Sequence, residues 1–182
     1  MNLLKAFNPA AESAMPFASF SDATEFLGEC CRRFGVRHLS YWCISLEDGL
    51  PDQVTWIATY DPAYMSHYMG RYTPVGDPAF EAANSVGKVI DWAEFSQDDE
   101  TAQAMHAAAA KHGIFKHGLS FPIKIGDSHL VLFSVNCDCS DANWPAEKAR
   151  LLEFLGAFAG YFHGRARHMV ESRQAKGRMP AA

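Results

Sequence analysis

The segment from Tyr60 to Pro78, YDPAYMSHYMGRYTPVGDP, gathers side chains that could read a small polar molecule. Tyr60 precedes an Asp61-Pro62 pair, Tyr64 and Tyr68 are four apart, Asp77 precedes Pro78, and Trp92 lies fifteen residues beyond Asp77. Helix positions four apart share a face, so Tyr64 and Tyr68 should point the same way. A phenol or indole is mostly apolar area with one polar atom that needs a partner once buried. Phenols, a carboxylate and an indole held together could line a site for a ligand with a polar head and an apolar tail. Plainer roles compete with this one. Tyr64 and Tyr68 could form the amphipathic edge of a core helix, and Trp92 could be core. Asp77 has a complete structural role as an N-cap before Pro78, the role that Asp61 plays before Pro62.

Other chemistry is poorly represented. Cys137-Asp138-Cys139 resembles half a metal site, but no second Cys/His pair stands at zinc-like spacing. The histidines are scattered, and neither a G-x-G-x-x-G run nor a P-loop occurs. The expectation is a binding site without metal, cofactor or catalytic residues.

The elements that must position these residues can be read from turn and cap signals. Asp22 and Glu25 resemble a capping box opening a helix that Gly35 closes. Arg37–Ser45 and Gln53–Thr59 read as strands joined through Asp48-Gly49. A helix follows from Asp61 to about Gly70, and a shorter one opens at Asp77-Pro78. Lys88–Asp91 reads as a short strand, and Ser96 caps a helix ending at Gly113 with Lys111 and His112 in its last turn. Gly118–Ile125 and Ser128–Asn136 read as a hairpin around Gly126-Asp127. Pro145 opens a long helix to about Ser172, with Leu151, Leu152, Leu155, Phe158, Ala159 and Phe162 as one apolar stripe. Two hairpins and few parallel crossovers predict an α+β fold: an α-β-α sandwich whose mainly antiparallel, about five-stranded sheet carries helices on both faces. Residues 1–20 read as an irregular lead, 21–172 as the domain, and 173–182 as a frayed tail or the start of a linker. Period-2 alternation puts Leu130, Leu132 and Ser134 on one face of their strand, and Ser40 and Trp42 on one face of theirs.

With 182 residues, 48% apolar and 20% charged, the chain suits one globular domain with its own core. The net charge of −5 argues against a dedicated nucleic-acid surface. Residues 145–182 are locally basic, with seven Lys or Arg against three Glu, which reads as a solvated helix whose C-terminus favours cations. The five cysteines include an adjacent pair, Cys30 and Cys31, which does not fit a secreted disulfide framework. The first twenty residues do not read as a signal peptide, and apolar runs are too short for a membrane span. A cytoplasmic protein is expected.

The spacing resembles the ligand-binding domain of LuxR-type quorum-sensing regulators. That family carries a Trp, a Tyr four later, Asp-Pro nine further on, a Trp fifteen after the Asp, and a Gly at the start of a later strand. The corresponding positions here are Tyr64, Tyr68, Asp77-Pro78, Trp92 and Gly118, with Tyr60 at the Tyr often found four before the first aromatic. GIFKHGLSFPIKIGDSHLVLFSV is similar to the family's Gly-led hairpin, and the resemblance runs from about Ser21 to Val170. It implies that an N-acyl homoserine lactone, the family's autoinducer, binds in a pocket between sheet and helices. Asp77 would accept from the ligand amide N–H, and Tyr64 would donate to the lactone carbonyl. Tyr60 and Ser134 would contact the acyl carbonyl, and Tyr68 and Trp92 would pack around the head group. Ser40, Trp42 and Leu132 would face the same pocket, with Trp42 shortening the tail channel to favour a short, branched or aromatic acyl group.

Where the family has Trp, this chain has Tyr64, and a phenol donates with different reach and angle. The resemblance also implies a homodimer built on the long final helix, with binding coupled to folding and dimerisation. It implies no membrane contact and no DNA contact by this segment. DNA would be reached through a C-terminal helix-turn-helix domain absent from the sequence, or through a partner. The alternative is a natural stand-alone form that binds a different small signal or acts as a heterodimerising anti-activator.

Overall fold

The computed structural model describes residues 15–71, 77–86, 88–95 and 100–177. The first helix, α1 (Phe20–Phe34), is capped by Ser19, whose hydroxyl accepts from the Asp22 N–H at 3.1 Å. The N-cap is therefore Ser19, three residues before the Asp22 that the sequence suggested, and Asp22 instead places its charge in the first turn, where the helix dipole favours it. Gly35 ends α1 in the left-handed conformation, at φ 67°. Strands β1 (His38–Glu47) and β2 (Leu50–Ala58) follow as a hairpin. Asp48 and Gly49 both take positive φ, 52° and 80°, as a tight two-residue turn of matching twist requires.

Helices α2 (Pro62–Arg71) and α3 (Pro78–Val86) each start at a proline preceded by aspartate. The short strand β3 (Ile90–Asp91) leads into a single tight helical turn, Trp92–Glu94. Helix α4 (Glu100–Ala110) is described from Glu100 onward, and the expected Ser96 cap lies outside the described residues. β4 (His117–Ile125) and β5 (His129–Cys137) pair with Ile125 opposite His129. The turn between them therefore has three residues, and Ser128 belongs to it rather than to the strand as expected.

The long final helix is two helices, α5 (Trp144–Leu152) and α6 (Leu155–Gly177). The interruption lets Phe154 enter the core beside Leu151 and Leu155, while Leu152 stays 43% exposed. Leu152 is thus not part of the buried stripe. That stripe continues past the expected end through Ala166, Val170 and Gln174. The basic end packs back on the chain start, with the Arg165 guanidinium 3.9 Å from the Phe17 ring centre and its Nε donating to the Met15 carbonyl. Residues 1–14 and 178–182, parts of the expected irregular lead and tail, lie outside the described residues.

The five strands form one antiparallel sheet in the order β2-β1-β5-β4-β3. It is covered on both faces, making the α-β-α sandwich of an α+β fold. Alternate residues feed two separate cores. Leu39, Tyr41, Leu119, Phe121, Val131, Phe133 and Val135 pack against α1, α5 and α6. Trp42, Ile44, Leu130 and Leu132 pack against α2, α3 and α4. No helix among the described residues is long and apolar enough to cross a membrane.

Candidate ligand-binding site

The second core is incomplete. Between the sheet and helices α2, α3 and α4 lies a cavity of about 450 Å³, within the range of small-molecule sites. Its floor is Ser40 and Trp42 on β1, Leu132 and Ser134 on β5, and Ser120 on β4. Its roof includes Tyr60, Tyr64, Tyr68, Asp77, Phe80 and Trp92. Every site residue expected from the sequence therefore lines this one cavity, although they come from five separate stretches of chain.

Asp77 sits at the most polar point. It is buried and caps α3, its Oδ1 accepting from the Ala79 N–H at 2.8 Å. Its Oδ2 accepts from the Tyr68 hydroxyl. Burial raises the Asp77 carboxyl above its ordinary value, against the lowering effect of the Tyr68 and Ala79 bonds. Burial, reinforced by the Asp77 charge, also pushes the Tyr68 phenol well up, so it remains a donor. Tyr60 is likewise raised, mainly by burial. The capping role and the pocket role of Asp77 are thus compatible: two oxygens with about four lone-pair directions leave room for a further donor.

The aromatic side chains brace one another. Tyr60 meets Tyr64 edge-on at 5.6 Å between ring centres, and Tyr64 lies 5.9 Å from Tyr68. Trp42 packs at 5.4 Å against Tyr68 and edge-on at 5.6 Å against Phe80. Trp92 is fixed from several directions. Its indole N–H donates to Ser120 Oγ at 2.9 Å. Its ring lies over Gly118, where an added Cβ would come within 2.6 Å of Cδ2 and 2.8 Å of Cζ3. Only a residue without a side chain leaves that ring its place, which is the physical reason for glycine at the head of β4. The turn bearing Trp92 is capped by Asp91, which accepts from the Ala93 N–H at 2.9 Å. The same carboxylate accepts from the Trp144 indole at 3.1 Å and pairs with Lys148 at 2.8 Å. The pocket wall is thereby tied to α5, which covers the other face of the sheet.

Several lining residues were not anticipated, among them Ser120, Phe80, Met105, His106 and Ile114. Ser120 was findable, since it stands two residues after Gly118 and alternation puts both on the same face. Ala107, Ala109 and Ala110 also line the cavity. The Ala107–Ala110 run reads as low complexity in the sequence, yet its short side chains are what leave the space open. Burial lowers the His106 imidazole, favouring its neutral form at this wall. Cys137 is buried in the opposite core, and Cys139 lies 3.5 Å from His117 Nδ1. Among the described residues no group of three or more His, Cys, Asp or Glu is placed to hold a metal ion.

The autoinducer binding domain profile matches residues 19–166, most of the chain and every wall of this cavity. The chain belongs to the autoinducer-binding domain family. Its fold is shared with solved LuxR-family proteins. CepR2 from Burkholderia cenocepacia, described as an N-acylhomoserine-lactone-dependent transcription factor, superposes with a TM-score of 0.62 at 16% identity, over 81% of this chain and 87% of that one. SdiA from Escherichia coli superposes at 0.60 and 17% identity, over 83% of this chain and 63% of that one. SdiA in complex with octanoyl-rac-glycerol superposes at 0.53 and 13% identity, over 87% of this chain and 67% of that one. No curated protein matches the chain by sequence. Autoinducer-binding domains sense small-molecule signals, and that general role belongs to this chain.

Proposed function

We propose that the chain senses an N-acyl homoserine lactone, bound with its amide N–H on Asp77 and its acyl group between the sheet and α4. The observation that carries this reading is the meeting of Tyr60, Tyr64, Tyr68, Asp77, Trp92 and Ser134 around one cavity. A buried carboxylate with spare lone pairs, ringed by aromatic side chains, suits a polar amide head attached to an apolar tail. Tyr64 would donate to the lactone carbonyl, and Tyr60 and Ser134 to the acyl carbonyl. Tyr68 and Trp92 would pack on the ring, with Ser40, Trp42 and Leu132 beneath. Trp42 fills the β1 side of the floor and favours a short, branched or aromatic acyl group.

The site is read as binding rather than catalytic, so the lactone should leave unchanged after long incubation. Binding would be coupled to folding through the Asp91 clamp on the Trp92 turn. It would be coupled to homodimerisation through the outer face of α6, where Gly156, Gly160 and Gly164 face open space. A cytoplasmic protein that reaches DNA only through a further domain or a partner fits this reading. A second reading, a different acylated signal, is favoured by Tyr64 at the pattern's Trp position and by the octanoyl-rac-glycerol complex of SdiA.

A thermal-shift panel decides between them. Straight-chain, branched and aroyl homoserine lactones and monoacylglycerols are compared at about a hundredfold excess over Kd, where binding adds about 2.7 kcal/mol. A shift of several degrees selective for short or aroyl lactones is expected. A larger shift with long straight chains would refute the Trp42 argument, and shifts with monoacylglycerols alone would refute the lactone.

A further inference from the structure

The cavity floor carries a row of serines. Ser40, Ser134 and Ser120 stand in register across β1, β5 and β4, and all are buried. An indole closes each end of the row. Trp42 Nε1 donates to Ser40 Oγ at 3.1 Å, and Trp92 Nε1 donates to Ser120 Oγ at 2.9 Å. An indole N–H can only donate, so each tryptophan sets a direction. A hydroxyl that accepts a hydrogen bond is polarised into a better donor. Ser40 accordingly donates to Tyr60 Oη at 3.4 Å. Ser120 and Ser134 Oγ are 2.8 Å apart, and either hydroxyl can donate; with Ser120 already accepting from Trp92, its own hydrogen is free for Ser134. Both chains finish on a hydroxyl at the cavity wall, Tyr60 on one side and Ser134 on the other. Because Ser40 and Ser134 are direct cross-strand partners, the two chains lie side by side on the cavity floor.

We propose that Ser120 is a positioning residue: it takes the Trp92 hydrogen, donates to Ser134, and so turns the Ser134 hydroxyl outward as a donor to the ligand's acyl carbonyl. The Trp42–Ser40–Tyr60 chain presents a second donor to the same oxygen. A carbonyl oxygen has two lone pairs and can accept from both hydroxyls, whereas a methylene accepts from neither. This inference rests on the lactone reading of the same cavity.

The test is a double-mutant cycle read by calorimetric titration with N-butanoyl and N-benzoyl homoserine lactone, with the ligand-free melting temperature measured on every variant. Ser134→Ala and Ser120→Ala should each weaken binding about tenfold, the loss of one hydrogen bond. The Ser120→Ala/Ser134→Ala double variant should bind no more than about twofold worse than Ser134→Ala alone, because Ser120 acts through Ser134. Ser120→Thr, which keeps the hydroxyl, should retain the wild-type Kd. Additive losses, or a Ser120→Ala variant with a lower melting temperature and unchanged Kd, would overturn the proposal and leave Ser120 as a partner for Trp92 alone. Wild-type protein that binds neither of these lactones nor any other lactone of the thermal-shift panel would overturn the lactone reading and the proposal together. Wild-type binding with an unaffected Ser120→Ala variant would overturn only the proposal.

Discussion

Asp77→Asn separates the two roles that one carboxylate performs. The substitution keeps the side-chain shape and one oxygen, and Asn caps helices about as well as Asp. The Ala79 N–H, 2.8 Å from Oδ1, therefore keeps its acceptor. The Tyr68 hydroxyl, which donates to Oδ2, can turn its hydrogen away and accept from the new amide instead. The variant also spares the protein a buried charge, since burial already disfavours the Asp77 carboxylate. The ligand-free fold should change by no more than about 1 kcal/mol, a shift of roughly 2–4 °C in Tm for a chain of this size. Binding should respond very differently. The ligand N–H loses a charged acceptor, worth about 1.5–3 kcal/mol, and meets an amide N–H in its place. The affinity should fall by about tenfold to 150-fold. Thermal melts without ligand and calorimetric titration with the tightest lactone of the panel measure the two effects separately. An Asn variant that binds as tightly as the wild type would show that Asp77 is not the head-group acceptor. A ligand-free variant that melts far lower would show that its role is mainly structural.

Two further outcomes follow from the same geometry. Because burial raises the Asp77 carboxyl, the folded ligand-free protein holds that proton more tightly than the unfolded chain does. Its contribution to stability is fully present below the ordinary value of 3.8 and is lost as pH rises through the raised folded value. A ligand N–H needs the ionised form, so Kd should weaken as pH falls through that raised value. A Kd unchanged down into the ordinary carboxylate range would contradict this. Gly118→Ala places a methyl within 2.8 Å of the Trp92 ring, whose indole N–H is already held by Ser120 on the same strand. Overpacking of this kind should cost about 1–3 kcal/mol and displace a pocket wall. Adding Trp92→Leu should recover part of the lost Tm, whereas independent effects would show that the contact does not set the cost.

The sequence by itself determined what depends on neighbours along the chain. Asp-Pro pairs start α2 and α3, Asp48-Gly49 turns the first hairpin, Gly35 ends α1, and four-residue spacing puts Tyr64 and Tyr68 side by side. Each is set within a turn or two of backbone, by capping groups and by the sterics of φ. The two-faced sheet was legible as well, because alternation along β1 and β5 sorts residues between two cores. The resemblance then named the cavity residues, but composition and spacing alone left Asp77 as a helix cap and the tyrosines as a core edge.

Only the tertiary structure decided which roles coexist. That Asp77 caps α3 and still faces the cavity follows from packing α2 and α3 over the sheet. The serine row exists because β1, β5 and β4 pair in one register, and a slip of one residue would send those hydroxyls into the opposite core. The seat of Trp92 on Gly118, the reach of Asp91 to Trp144 and Lys148, and the interruption that turns Phe154 inward all join residues far apart in the chain. Such contacts are fixed when distant surfaces close on one another, and no local pattern of residue types encodes which distant surface will arrive.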